Sequence, residues 1–257
     1  MIPQDTLERK ARYRVPLRLA GGLVWAALTL RQRSFAADAR LAMAGMHPEP
    51  EVTGAAEIPA RGPCLVTCNH YSRPGLGAWW LPLTINAIVA AQRTADADCE
   101  IYWVMTAAWT FPQSRWKRRL LTPLTRWAFA RVAHVYGFVP MPPMPPDPDE
   151  VEARAIAVRR TLRLARRLAQ SGGMIGLAPE GQDTPDGKPG EPPPGAGSFI
   201  ALLVQAGMPV LPVGVSERRG RLRLAFGPCF VPQIPPERAG RDRAVARQVM
   251  AAITALV

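Results

Sequence analysis

Lysine is nearly missing from this chain. Lys10, Lys117 and Lys188 are the only three, yet lysine and arginine total 32 against 20 acidic residues, a net charge of +12. The positive field is therefore built from arginine, whose planar fork suits phosphate and whose long stem can snorkel at an interface. Genome base bias accounts for arginine over lysine, but not for the net charge. Such a field favours anionic partners: nucleic acid, an anionic bilayer surface or phosphate-bearing substrates. Histidine is as scarce. His47, His70 and His134 show no metal-ligand spacing, so no metal site is read. The cysteines Cys64, Cys68, Cys99 and Cys229 form no Cys-x-x-Cys pair and read as small core hydrophobes of a reduced, intracellular chain. No apolar run reaches the ~20 residues of a membrane span. Residues 1–14 do not read as a signal peptide, because the apolar part starts late and lacks a small-residue cleavage site. There is no internal repeat and no linker-like break, so the 257 residues read as one domain.

What is present alternates between strand and helix. The apolar stretch 19–30, bounded by Arg18, Arg31 and Arg33, fits a helix lying in a membrane interface with Trp25 at headgroup level. It fits equally a helix packed on the domain. A second helix is expected over 34–46. Residues 1–48 thus read as a helical, membrane-associating segment and 49–257 as an α/β domain with a largely parallel sheet flanked by helices. A helix over 76–92 is expected to open at Pro74 and to kink at Pro82. Arg115-Trp116-Lys117-Arg118-Arg119 is the densest basic patch, continued by Arg126, Trp127, Phe129 and Arg131. Tryptophan beside arginine is the composition of an interfacial surface, and equally of a solvated basic helix face. No helix-turn-helix, zinc finger or RNA-binding motif accompanies it, so nucleic acid is not read as a partner. His134 to Val139 reads as a strand. Asp147, Pro148 and Glu150 read as the cap of a long helix with the stripe Val151, Ala155, Val158, Leu162, Ala165 and Ala169. Ser198 is expected to cap the next helix.

Three short apolar runs end in polar turns. The run 64–68 ends in Asn69-His70-Tyr71-Ser72-Arg73-Pro74-Gly75. Met174 to Leu177 leads to Ala178-Pro179-Glu180-Gly181. Pro209 to Val215 is the third. A strand end in an open α/β sheet is where ligands gather, and histidine can take and return a proton near neutral pH. His70 alone reads equally as a satisfied structural histidine. The three runs together resemble the glycerolipid acyltransferase superfamily over roughly residues 50–230. Asn69, His70 and Ser72 match its Asn-His-x-Ser-x-x-Asp block, and Pro179, Glu180 and Gly181 match Phe-Pro-Glu-Gly-Thr-Arg. Pro209 to Val213 match Pro-Val-x-Pro-Val. Three departures stand out. Gly75 replaces the motif aspartate, Pro140 to Pro143 stand where a phosphate-binding arginine is expected, and Asp183 replaces the arginine of the third block.

The resemblance implies transfer of an acyl group from a thioester donor, acyl-CoA or acyl carrier protein, to a hydroxyl on a lipid or polar acceptor. His70 is the implied general base, with Glu180 supporting catalysis. Asn69, Ser72, Arg73, Pro179 and Gly181 are the implied substrate-binding residues. No bound cofactor is implied. The implied location is peripheral or monotopic, on the cytoplasmic face of a membrane with an anionic surface. The alternative is a catalytically impaired homologue that binds lipid or serves as a scaffold. Asp183 and Glu180 are the carboxylates placed to orient His70 in the absence of the motif aspartate.

Overall fold

The computed structural model describes residues 13–77, 79–111, 113–142, 151–182 and 189–257. Among them, seven strands form one sheet in the order β1-β7-β6-β2-β5-β3-β4: β1 Glu51–Thr53, β2 Cys64–Cys68, β3 Ile101–Thr106, β4 Val139–Met141, β5 Met174–Leu177, β6 Val210–Arg218 and β7 Arg221–Phe226. Every pairing is parallel except the β6–β7 hairpin. The central strands β2 and β5 are buried along their whole length. That is why they read as short continuous apolar runs rather than as alternations.

Helices cover both faces. One face is packed by α1 Leu17–Thr29, α2 Phe35–Met43, α3 Trp80–Gln92 and α4 Arg115–Tyr136, over Cys64, Val66 and Cys68. The other is packed by α5 Val151–Ser171, α6 Ala196–Gln205 and α7 Arg241–Thr254, over Leu65 and Ile175. The fold is thus the expected α/β domain with a mostly parallel sheet. Phe35, Ala39, Ala42 and Met46 sit in the same core as the sheet, whereas α1 buries only Leu19 and Ala26. Gly176 is required where it stands, because a Cβ there would lie 2.4 Å from the Trp103 indole that crosses β5.

Several local expectations are corrected. Pro74 does not open a helix. Arg73 and Leu76 bond each other across a tight turn, with Gly75 at φ +85°, and α3 begins at Trp80. Pro82 then falls in the first helical turn, where its missing N–H has no acceptor to lose, so no kink follows. The two basic stretches around Trp116 and Trp127 are one helix, α4, with Pro123 inside it, and it runs through His134 to Tyr136 before Gly137 ends it. The strand expected over 134–139 is helical up to Tyr136, and β4 begins only at Val139 and runs to Met141. The Asp147 cap lies outside the described residues. The buried stripe of α5 is Ala157, Thr161, Ala165 and Leu168, turned by about one residue from the expected one, and Val151 and Ala155 are exposed. Ser198 does not cap α6. Asp242 does so from α7, accepting the N–H groups of Gly195 at 2.9 Å and Ser198 at 2.7 Å. Burial opposes the Asp242 charge, but these amides outweigh it and hold the carboxyl below its ordinary range. Cys64 and Cys68 are buried thiols, pushed up to about 12 by burial, but Cys229 is exposed. Among the described residues no helix is long and apolar enough to cross a membrane.

Candidate active site at the ends of two central strands

β2 and β5 lie side by side with a constant offset, Cys64 opposite Met174 and Thr67 opposite Leu177. The same offset of 110 residues joins His70 to Glu180 just past the strand ends, where the His70 N–H donates to Glu180 Oε2. The other oxygen, Oε1, accepts the N–H of Gly190 from the following loop. Glu180 is 1% exposed. Burial pushes its carboxyl up, while the amides of His70 and Gly190 and the nearby imidazole pull the other way. Glu180, expected to support catalysis, has both oxygens engaged by main-chain amides and so positions the His70 turn.

Asn69, expected to bind substrate, is buried against the sheet. It is 0% exposed, and its carboxamide faces β6. Nδ2 donates to the Val215 carbonyl at 2.8 Å, and Oδ1 accepts the Val215 N–H at 2.7 Å. The side chain imitates a peptide group and prolongs the β2–β6 ladder by one rung. This fixes the point at which the chain leaves the strand, and therefore where His70 stands. By alternation from Val66 and Cys68, His70 faces the α1–α4 side. Its ring is half-buried, with Nδ1 on the inner side.

The segment after His70 is held from β6. Arg73 forms a two-pronged ion pair with Glu217, with Nη2 to Oε1 at 2.7 Å, and each side chain is 9% exposed. Tyr71 donates its hydroxyl to the same carboxylate at 2.9 Å. Burial first, then the Glu217 bond and charge, push the Tyr71 hydroxyl up to about 12. Arg73, expected to bind substrate, is thereby part of a clasp between the His70 turn and β6. Ser72 is half-buried on the same turn, Pro179 is buried, and Gly181 is exposed at φ +66°. Asp183 lies outside the described residues. Among the described residues no group of three or more His, Cys, Asp or Glu is placed to hold a metal ion.

Sequence reasoning did not find Glu217, Tyr71 or Gly190. Nothing local marks them, since Glu217 reads as an ordinary charge near a hairpin, and only the fold brings it 144 residues back to Arg73.

A comparison with curated protein sequences finds no match. The fold is similar to that of the 1-acyl-sn-glycerophosphate (LPA) acyltransferase PlsC from Thermotoga maritima, with a TM-score of 0.56 at 14% identity. The likeness covers 92% of this chain and 86% of that one. At that identity it is a likeness of fold. The sequence itself matches the Acyltransferase family over residues 49–216, which takes in β2 with Asn69 and His70, β5 with Glu180, and nearly all of β6. With well over half of its length matched and the three strand ends in place, the chain belongs to the Acyltransferase family.

Proposed function

We propose that this chain moves an acyl group from a thioester donor to a hydroxyl of a lipid or polar acceptor, with His70 as general base. The observation that carries the reading is the pairing of His70 with buried Glu180 at two neighbouring strand ends. Nδ1 is buried on the inner side of the turn, and Nε2 is the ring nitrogen that meets the substrate in this reading. It takes the acceptor proton as the oxygen attacks the thioester carbonyl. The tetrahedral intermediate collapses, the C–S bond breaks, and the imidazolium returns the proton to the departing thiolate. Thioester consumption that depends on His70 tests the reading. A lipid-binding or scaffold role is the second reading, and Gly75 in place of the motif aspartate is what favours it.

The site works at the cytoplasmic face of a membrane, bound peripherally through an anionic surface. Two neighbouring helices support this. On α1, Leu17, Val24, Trp25 and Leu28 are exposed, Trp25 by 62%. On α4, Trp116, Leu120, Leu124 and Trp127 recur at helical spacing, all exposed, among Arg115, Lys117, Arg118 and Arg119. Exposed tryptophan and leucine interleaved with arginine is the pattern of a surface that enters the headgroup layer.

A further inference from the structure

A cleft of ≈ 380 Å³ opens at the amino edge of the sheet, between β3, the turn from α4 into β4, and one flank of α5. That is within the size range of small-ligand sites. Tyr102, the second residue of β3, forms one wall, and Arg160, Leu164, Arg167 and Leu168 of α5 form another. The catalytic edge is far away. Tyr102 pairs in register with Ile175, and Ile175 with Leu65, so His70 lies two strands across and five residues further along β2. That separation is roughly 20 Å at the rise and spacing of strands. The two sites also use different faces of the sheet. Tyr102 and Leu164 pack against the core under α5, α6 and α7, whereas His70 faces the α1–α4 side.

The chemistry of the lining selects a ligand. Arg160, Leu164 and Arg167 are spaced four and three residues apart, so they stand one above another on the same helix flank. Both arginines are exposed, and among the described residues neither takes part in an ion pair. The Tyr102 side chain makes no hydrogen bond among those residues either. Burial, then the charges of Asp98 and Glu100, push its hydroxyl up, while Arg167 pulls the other way, so it is an O–H donor at neutral pH. The two nearby acids are engaged elsewhere. Glu100 accepts from the Ser34 hydroxyl and the Ala36 N–H, and Asp98 accepts the Glu100 N–H.

Two guanidinium forks and one hydroxyl thus line a single cleft as donors. A phosphate monoester matches them, with close to two negative charges at neutral pH and three terminal oxygens. A carboxylate brings one charge and two oxygens, and leaves donors over. Leu164, Leu168 and Phe138 make the rest of the wall apolar, which favours an ester with a compact hydrocarbon body over a free phosphate ion.

We propose that this cleft is a second ligand site, remote from His70, that takes a small phosphate monoester with an apolar body.

Phenyl phosphate is the probe, titrated calorimetrically into the full chain. Wild type and His70→Ala should bind it saturably with one site and equal affinity. Arg160→Gln/Arg167→Gln should bind roughly tenfold more weakly, and Tyr102→Phe severalfold. Arg159→Gln/Arg166→Gln removes the same charge from exposed positions of α5 outside the cleft, and should bind like wild type. Saturating probe should raise the melting temperature of wild type and leave that of Arg160→Gln/Arg167→Gln unmoved, while the two proteins melt alike without it. The proposal is overturned if wild type shows no saturable binding, or if both double variants lose affinity equally, which is the mark of a diffuse basic surface. It is also overturned if inorganic phosphate binds as tightly as phenyl phosphate, which leaves an adventitious ion only. Binding is read without turnover, so neither outcome depends on the acyl-transfer reading.

Discussion

The buried carboxylate of Glu180 accepts the main-chain N–H of His70 across 110 residues of sequence, and with the Asn69–Val215 pairing this bond sets where the imidazole stands. Glutamine cannot serve both amides in this way. A glutamine offers one oxygen and places its NH2 against an amide N–H. Glu180→Gln therefore leaves either the His70 or the Gly190 amide unsatisfied in the interior, at about 1–3 kcal/mol. The expected outcome is a melting temperature several degrees lower, with kcat reduced and the KM for the thioester little changed. A variant that melts and turns over like wild type would show that the bond positions nothing.

Gly75→Asp is expected to lower stability by about 1–3 kcal/mol and to give no gain in rate. The position has φ +85°, which side chains other than glycine adopt at a cost. A Cβ there comes within 3.6 Å of Arg73 Nη1, so the new carboxylate would pair with that guanidinium and compete with Glu217. Thermal melts and kcat, measured side by side, check both halves. A rate above wild type would mean that the carboxylate reaches His70 and fixes its tautomer.

The strands that build the site were legible in the sequence because they are buried on both sides and end abruptly in polar residues. Asn69-His70 and Pro179-Glu180-Gly181 announce themselves in that way. The roles of those residues were not legible. Whether Asn69 faces a substrate or a neighbouring strand depends on Val215, and Glu180 is defined by amides 110 and 10 residues away. The α6 cap hid for the same reason: Ser198 looks like the local choice, but Asp242 arrives from 44 residues downstream. The end of helix α4 reads as a strand because Val135 and Tyr136 favour strands by propensity, while packing holds them in a helix up to Gly137.

Phosphate-bearing acceptors such as glycerol 3-phosphate and lysophosphatidate should be poor ones. Both arginines that the family resemblance leads one to expect are missing, with Pro140 in β4 standing for one and Asp183 for the other, and Arg73 is committed to Glu217. A panel of hydroxyl acceptors with a single acyl-CoA decides this. Efficient, saturable use of a phosphate-bearing acceptor would refute it.

Vesicle flotation addresses the membrane face. Wild type should float with vesicles containing anionic lipid and much less with neutral ones. Trp25→Ala/Trp116→Ala/Trp127→Ala should remain at the bottom without loss of fold, because all three rings are exposed. Equal failure of wild type with both lipid mixtures would remove the surface reading.

Release of coenzyme A from an acyl-CoA, followed with wild type and His70→Ala across a broad acceptor panel, tests the central claim most directly. A general base contributes roughly 10²–10⁴-fold, so His70→Ala should lose turnover by that factor while keeping its melting temperature. Equal rates from the two proteins would contradict the account and leave a lipid-binding protein on an acyltransferase fold.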